Sequence, residues 1–284
     1  MPGDGEGGRY IHGTDRDERE RLTRLNELIN PRSLELLALR PGDKVLDVGS
    51  GLGLLAWEMA EAVGHDGRVL GIERDRTQLA TALQRSHEGH DFAATVEFRR
   101  GDAVKPPLRP GEWASFDVAH CRFLLEHVPE PERVVAAMAE AVRPGGRVVL
   151  EDDDHDLLRL WPPVPGVDRL WLAYIHAYRQ SGNDPFIGRR LVALLDEAGL
   201  TPSRCAMPRF GACAGSEDFP LYVDNLAEIL LGARDAIQDG GRVSDVEFAH
   251  AMSALEAWGK RSDAAFWYVT LWAEAYRALP GDAA

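Results

Sequence analysis

The chain has 284 residues, of which 45% are hydrophobic, and its formal net charge is −14. That length is typical of one large domain, or of one domain that carries a sizeable insertion. A negative net charge repels nucleic-acid phosphates and anionic lipid surfaces, and the sequence shows no basic patch, so nucleic acid is excluded as an expected partner.

The cysteines and the apolar runs indicate which cellular compartment to expect for the protein. Cys121, Cys205 and Cys213 are odd in number and lack metal-ligand spacing, which favours a reducing environment. No apolar run approaches the roughly 20 residues that span a bilayer, and residues 1–8 are rich in glycine and acidic residues. We therefore expect a cytoplasmic protein without a membrane segment; the sequence leaves open whether it forms a homodimer.

The first unit in chain order is an N-terminal tail and helical lid, residues 1–40. Leucine and isoleucine recur at three- and four-residue steps from Leu22 to Ile29, which predicts a helix. Pro31 is expected to interrupt that helix and to begin a second one.

The second unit, residues 41–155, alternates between short apolar runs and amphipathic segments. The runs predict strands, and the segments between them predict helices: strands at 44–48, 68–73, 95–100, 116–121 and 147–151, and helices at 52–63, 76–86 and 130–142. Such alternation is typical of βαβ units, so the expected fold class is α/β, with a parallel sheet and helices on both faces. A sharp turn is predicted at Pro144-Gly145-Gly146.

The third unit, residues 156–284, follows a different pattern. Aromatic residues mark one helical face over 166–181, a helix is predicted at 189–198, and residues 216–258 are mostly helical in pattern. A strand is expected at 203–213, and residues 266–273 are expected to form a last strand or a junction between a strand and a helix. We expect this unit to supply cap helices and C-terminal strands that complete the sheet.

A glycine-rich turn follows the first predicted strand, with the sequence Asp47-Val48-Gly49-Ser50-Gly51-Leu52-Gly53. Glycines let a ligand approach the backbone closely at the start of the next helix. The dinucleotide pattern requires a glycine at position 54, which is leucine here, so that pattern fails. The spacing is instead Asp-x-Gly-x-Gly-x-Gly.

This turn resembles motif I of the class I S-adenosylmethionine-dependent methyltransferases, in particular the bacterial small-molecule and secondary-metabolite type. Four further segments resemble that family's motifs in the same order. They are Val69-Leu70-Gly71-Ile72-Glu73, Gly101-Asp102-Ala103, residues 117–128, and Arg143-Pro144-Gly145-Gly146-Arg147. The resemblance implies a Rossmann-like methyltransferase sheet with S-adenosylmethionine bound at its carboxyl-end edge.

By this resemblance Glu73 binds both ribose hydroxyls, which suits the two oxygens of a carboxylate, and Asp102 with Ala103 reads the adenine edge. Tyr10 would cover the cofactor and Arg21 would pair with its carboxylate, the alternative being an ordinary surface helix. The other expected cofactor contacts are Asp47, Gly49, Gly51, Gly53, Arg74, His120 and Arg122.

The resemblance also implies methyl transfer to a small-molecule acceptor, with S-adenosylhomocysteine as product. The fifth strand ends in Glu151-Asp152-Asp153-Asp154-His155-Asp156. We interpret this run as an acidic mouth in which His155, with Asp153, serves as the base; the alternative is a solvated loop with a helix N-cap. No spacing fixes a metal site, and none is assigned. Glu126 and His127 are assigned a structural role.

Aromatic residues are concentrated in the third unit, which suits a flat, apolar acceptor such as an indole or a phenol. Trp161, Tyr174 and Tyr178 are the predicted substrate contacts. Two alternatives stay open at this point. One is a nucleotide-dependent oxidoreductase on the same sheet, and the other is a protein that binds S-adenosylmethionine without catalysis.

Overall fold

A nine-stranded sheet runs through the part of the chain that the computed structural model describes, residues 16–85 and 95–281. The strands are β1 (Lys44–Val48), β2 (Arg68–Glu73), β3 (Val96–Arg100), β4 (Phe116–Arg122), β5 (Val142–Asp153), β6 (Arg159–Trp161), β7 (Thr201–Ala206), β8 (Arg209–Phe210) and β9 (Ala265–Tyr276). The helices are α1 (Arg16–Leu37), α2 (Leu54–Val63), α3 (Arg76–Arg85), α4 (Pro131–Ala141), α5 (Val167–Gln180), α6 (Leu191–Glu197), α7 (Phe219–Gly232), α8 (Arg234–Asp239) and α9 (Asp245–Trp258).

The strand order is β3-β2-β1-β4-β5-β9-β6, and the first five strands are parallel. β9 runs antiparallel to β5 and also pairs with β6, β7 and β8, so it joins the C-terminal strands to the sheet. Because parallel strands end at one edge, the loops after β1 to β5 meet there. The predicted α/β class with a parallel sheet is confirmed.

Both faces of the sheet are covered, which explains why its strands read as continuous apolar runs rather than as alternating ones. Val45, Leu46 and Val48 in β1 are all buried. One apolar cluster joins β4 and β5 to α4 and α6, and a second joins β1 and β2 to α2 and the end of α1.

Helices α5, α7, α8 and α9, which we call the cap, have a hydrophobic core of their own. Side chains of α5, α7 and α9 pack there with Ile29 of α1 and with Phe210 and Phe266 from β8 and β9. Because this cluster includes residues of α1, the N-terminal helix and the cap form one packed unit beside the sheet. None of the helices in the described ranges is long and apolar enough to cross a membrane.

Two local predictions were wrong. α1 continues through Pro31 as one helix. Arg122 donates hydrogen bonds to Asn26, Asn30 and Ser33, which lie on one helical face on both sides of the proline. These tertiary contacts fix the helix on either side of the backbone hydrogen bond that proline removes.

The predicted turn at Pro144-Gly145-Gly146 belongs to β5. The pairing with β4 shifts there from Phe116↔Val142 to Val118↔Arg147, and Gly145 has a φ of +76°. The segment is therefore a β-bulge near the start of β5. Residues 143–146 have no register partner on β4, yet the strand pairing continues on both sides of them.

Candidate active site

A large cavity lies where the carboxyl ends of the parallel strands meet α1 and the cap. Its volume is about 950 Å³, near the top of the range of roughly 300–1,000 Å³ that small-molecule sites occupy. The loops after β1, β2 and β3 line one half, and residues of α5, β8 and β9 line the other. We call these the cofactor half and the acceptor half.

The glycine-rich turn forms the floor of the cofactor half. Gly49, Gly51 and Gly53 all have positive φ, at +76°, +55° and +73°. Gly49 and Gly51 line the cavity. Gly53 does not: a Cβ there would lie 2.7 Å from Phe98 Cζ and 2.9 Å from Ala82 Cβ. The expectation that Gly53 contacts the cofactor is therefore corrected, because this glycine permits close packing behind the turn.

Glu73 lies at the end of β2 and lines the cavity. Its carboxylate accepts hydrogen bonds from the backbone N–H groups of Gly51 at 2.9 Å and Asp75 at 2.6 Å. Burial raises the pKa of Glu73, and these hydrogen bonds oppose that rise. A carboxylate has about four lone-pair sites, so it can also accept from a diol. Arg74, Asp102 and Ala103 line the cavity beside it.

Asp47 and His120 form a buried pair at the ends of β1 and β4. Nδ1 of His120 lies 2.9 Å from Oδ1 of Asp47, and the two side chains are 1% and 5% exposed. With the carboxylate as acceptor, a neutral imidazole carries its proton on Nδ1, which leaves Nε2 as an acceptor. Nε2 is buried without a hydrogen-bond partner in the described structure, as is Oγ of the neighbouring Ser50.

These unpaired atoms test the fit of the predicted cofactor. S-adenosylmethionine carries an ammonium group and ribose hydroxyls that can donate hydrogen bonds to Nε2 of His120 and to Glu73, and Ser50 can bond to either kind of polar group. A buried polar atom without a partner costs about 1–3 kcal/mol, so a polar ligand on this wall relieves that cost. The residues present fit the group.

The two predicted arginine contacts differ in what they already bind. Both side chains line the cavity. Arg21 forms an ion pair with Glu18 at 2.6 Å and donates to Asn225. Arg122 donates only to the neutral side chains on α1 in the bonds above, and burial lowers its pKa. The carboxylates of Glu151, Asp47 and Glu58 oppose that fall in pKa, but none of them forms an ion pair with Arg122 in the described ranges. Arg122 therefore suits the cofactor's carboxylate better than Arg21, which is already paired with Glu18. Tyr10 lies outside the described residues.

The acceptor half brings together side chains from the loops after β4 and β5. Nε2 of His155 lies 3.5 Å from Oε2 of Glu126 and 3.8 Å from Oδ2 of Asp153, and Nε2 of His127 lies 3.5 Å from Oε1 of Glu126. All four residues line the cavity. The structural role assigned to Glu126 and His127 therefore needs correction, because they face the same space as the predicted catalytic pair.

Burial dominates the electrostatics of this cluster. It raises the pKa of Glu126 to about 7 and that of Asp153 well above its usual value. It lowers the pKa of His155, and it lowers that of His127 to about 3. Each shift favours the neutral form, as expected where ionised groups lose their hydration.

Aromatic rings enclose His155. The ring centroids of Trp171, Tyr174 and Tyr178 lie 5.5, 5.6 and 5.0 Å from its imidazole, and all three line the cavity. Tyr174 and Tyr178 are thus brought to the predicted acceptor site. Trp161 is not: its side chain is 64% exposed on β6 and lies outside the cavity. β6 lies at the edge of the sheet, so the predicted contact of Trp161 is corrected.

The acidic run after β5 does not form one mouth. Glu151 accepts hydrogen bonds from Ser33 and Thr270, and Asp152 accepts from the backbone N–H of Leu125 at 2.8 Å. Asp154 and Asp156 instead pair with Arg189. Strand alternation and the following turn direct these side chains to different neighbours. Of the six residues, Asp153 and His155 line the cavity.

A family model described as a methyltransferase domain matches residues 18–203, which is more than half of the chain. The chain belongs to this methyltransferase family. The predicted membership of the class I S-adenosylmethionine-dependent methyltransferases, and with it the predicted cofactor, is confirmed. The family match argues against the oxidoreductase alternative.

Two curated proteins similar to this chain are a ubiquinone biosynthesis O-methyltransferase of Hahella chejuensis and a 27-O-demethylrifamycin SV methyltransferase of Amycolatopsis mediterranei. The first is 40% identical over 41% of this chain and 47% of its own, and the second is 36% identical over 50% of each. The chain spans about half the length of the curated relatives it matches.

Among solved structures, the [4+2]-cyclase SpnF shares the fold. The TM-score is 0.54 at 20% identity, and the match covers 89% of this chain and 80% of the cyclase. At that identity the likeness supports the Rossmann-like fold alone.

Proposed function

We propose that this protein transfers a methyl group from S-adenosylmethionine to a small aromatic acceptor, an indole or phenol-like metabolite. The observation that carries the proposal is the single cavity of about 950 Å³, which joins the glycine-rich turn to a chamber lined by tyrosine and tryptophan rings. The two relatives named above support the acceptor class only in a general way, since their names refer to ubiquinone biosynthesis and to a demethylated rifamycin.

In this proposal the cofactor half holds S-adenosylmethionine by its polar ends. Glu73 accepts hydrogen bonds from the ribose hydroxyls, and Asp102 with Ala103 lies against the adenine. Nε2 of His120 accepts from the amino group, and Arg122 pairs with the carboxylate. When bound, the cofactor supplies a methyl group on a positively charged sulfur, which makes that methyl electrophilic.

The acceptor half positions the molecule that receives the methyl group. Tyr174 and Tyr178 lie on α5 and place flat rings on one wall, which suits stacking with an aromatic acceptor. His155 and Asp153 act on the group that carries the reacting atom. Because the leaving thioether is a good one, most of the rate enhancement comes from alignment and from exclusion of water by the cap.

The test is a screen of phenols, quinols and indoles for release of S-adenosylhomocysteine, with mass spectrometry of the products. We expect at least one acceptor to gain a single methyl group in equal amount to the S-adenosylhomocysteine released. Tight binding of S-adenosylhomocysteine without turnover on any acceptor, alongside an active methyltransferase run as a positive control, would support the non-catalytic alternative.

A further inference from the structure

Three potential ligand side chains converge in the acceptor half, from two neighbouring strand ends. Glu126 lies in the short turn Leu125–His127 after β4, and Asp153 and His155 lie at the end of β5 and just beyond it. One oxygen of each carboxylate and one imidazole nitrogen all lie within 4.8 Å of one another. No hydrogen bond in the described ranges joins any two of the three.

An unpaired oxygen of Glu126 is an independent sign that a ligand belongs here. Oε2 of Glu126, which lies 3.5 Å from Nε2 of His155, is buried without a hydrogen-bond partner among the described residues. Oδ1 of Asp153 and Nδ1 of His155 are unpaired as well, but the 3.8 Å separation joins the other two atoms of these groups, Oδ2 and Nε2. Glu126 and His155 are each only 4% exposed. Native proteins pair nearly all such groups with protein, water or an ion.

The surroundings supply no cation to these carboxylates. Within residues 16–85 and 95–281, no ion pair joins Glu126 or Asp153 to a lysine or an arginine; the ion-pair contacts of these two carboxylates are with His127 and His155. The nearby carboxylates of Asp184 and Asp152 add negative charge. A site with two carboxylates, one imidazole and no nearby cation suits a positively charged ion.

We propose that Glu126, Asp153 and His155 bind a divalent transition-metal ion in the acceptor half of the cavity. Protein ligands bind such ions at about 2.0–2.2 Å, which places neighbouring ligand atoms roughly 3.0–3.4 Å apart. Nε2 of His155 lies 3.5 and 3.8 Å from the two carboxylates, and the three ligand atoms lie within 4.8 Å of one another, so the carboxylates must move inward when an ion binds. The mixed nitrogen and oxygen set favours Mn²⁺, Fe²⁺ or Zn²⁺ over Mg²⁺ and Ca²⁺, which prefer oxygen alone.

Three protein ligands leave coordination positions open toward the cavity. An acceptor that carries a hydroxyl group can fill one of them, which would fix its oxygen at the end of the aromatic chamber. This consequence rests on the proposed function; the metal site itself does not. In this arrangement His155 and Asp153 act on the acceptor through the ion.

The site can be tested without any acceptor. The full chain is freed of metal with a chelator, exchanged into chelator-free buffer, and titrated with MnCl₂ by calorimetry and by the loss of the free Mn²⁺ EPR signal. We expect one Mn²⁺ per chain. Glu126→Gln and Asp153→Asn should each weaken binding by about 10-fold or more, because each removes a ligand charge without changing side-chain volume.

A matched control is Glu217→Gln, the same chemical change at an exposed glutamate outside the cavity. It should leave the Mn²⁺ affinity unchanged. Binding of S-adenosylhomocysteine by each variant checks that the fold is intact. Binding of much less than one Mn²⁺ per chain, or an affinity that Glu126→Gln does not alter, overturns the proposal.

A spectroscopic measurement assigns the nitrogen ligand. Pulsed EPR of the Mn²⁺ complex should show coupling to one imidazole nitrogen, and His155→Gln should abolish it. Coupling that persists in His155→Gln overturns the assignment. Failure here leaves methyl transfer untouched, while failure to find an acceptor leaves Mn²⁺ binding untouched, so the two proposals can be separated.

Discussion

The two halves of the cavity are built in different ways. In the cofactor half, polar side chains already have protein partners: Glu73 accepts from two backbone N–H groups, and His120 is oriented by Asp47. In the acceptor half, Glu126 and His155 are buried with atoms left unpaired. Both halves hold buried polar atoms without partners among the described residues, since Nε2 of His120 and Oγ of Ser50 are also unpaired. The difference is that hydrogen bonds within the protein orient Glu73 and His120, whereas no hydrogen bond in the described ranges joins Glu126 to His155.

The largest expected effect is on the turnover of a His155 variant, whose affinity for the cofactor product should not change. His155→Gln should lower kcat by about 100-fold or more, because it removes a group that acts on the acceptor. The affinity for S-adenosylhomocysteine, measured by calorimetry, should stay within about twofold, since His155 lies in the other half. Full turnover in this variant would mean that alignment alone drives the reaction.

The second prediction concerns the packing behind the turn. Gly53→Val should destabilise the protein by about 2–4 kcal/mol, because it combines a left-handed backbone at a β-branched residue with overpacking against Phe98 and Ala82. Urea denaturation measures this change. Gly199→Val is the control: Gly199 also has a positive φ, at +74°, but a Cβ there would meet nothing within 4 Å, so the cost of overpacking is absent. Equal losses in both variants would contradict the packing role.

The third prediction concerns the cofactor's ribose. Glu73→Ala removes charge-assisted hydrogen bonds worth about 1.5–3 kcal/mol, so the affinity for S-adenosylhomocysteine should fall by about 10- to 150-fold. Calorimetry measures it, and Glu61→Ala, an exposed glutamate on α2, should show no change. An unchanged affinity in Glu73→Ala would mean that the cofactor does not bind in this half of the cavity.

The smallest effect compares two tryptophans of the third unit. Trp171 donates from Nε1 to the backbone carbonyl of His155 at 2.7 Å and lines the cavity. Trp171→Phe should lower kcat by about 2- to 10-fold, the equivalent of one lost hydrogen bond of 0.5–1.5 kcal/mol. Trp161→Phe should leave kcat and KM unchanged. An effect of Trp161→Phe as large as that of Trp171→Phe would contradict the placement of Trp161 outside the cavity.

The cofactor half could be predicted in most of its parts because its signals are local. The boundaries of β1 and β2 match the predicted strands, and the turn and Glu73 follow them directly in the chain. A strand that ends in glycines and an acidic residue constrains its own geometry within a few residues. Gly53 was the exception, since the packing it permits involves Phe98 and Ala82, which lie far along the chain.

The acceptor half could be predicted only in part. His155, Tyr174 and Tyr178 were expected there. Glu126 was assigned a structural role, although it lies in the turn just after β4 and Asp153 lies at the end of the neighbouring strand β5. The available signal was that both carboxylates, Glu126 and Asp153, lie at the carboxyl end of a parallel strand, because such ends meet at one edge of the sheet. Nothing in the sequence distinguishes Trp161 from the aromatic residues of the same unit that do line the cavity.

The sequence by itself determined the α/β sheet, the family and the cofactor, because apolar periodicity and the motif around the glycine-rich turn act over short stretches of chain. Tertiary structure alone decided that α1 runs through Pro31, that the acidic run after β5 divides among several partners, and that Glu126 meets Asp153 and His155. These outcomes depend on which distant segments pack together, and burial against those segments outweighs the local preferences that the sequence displays.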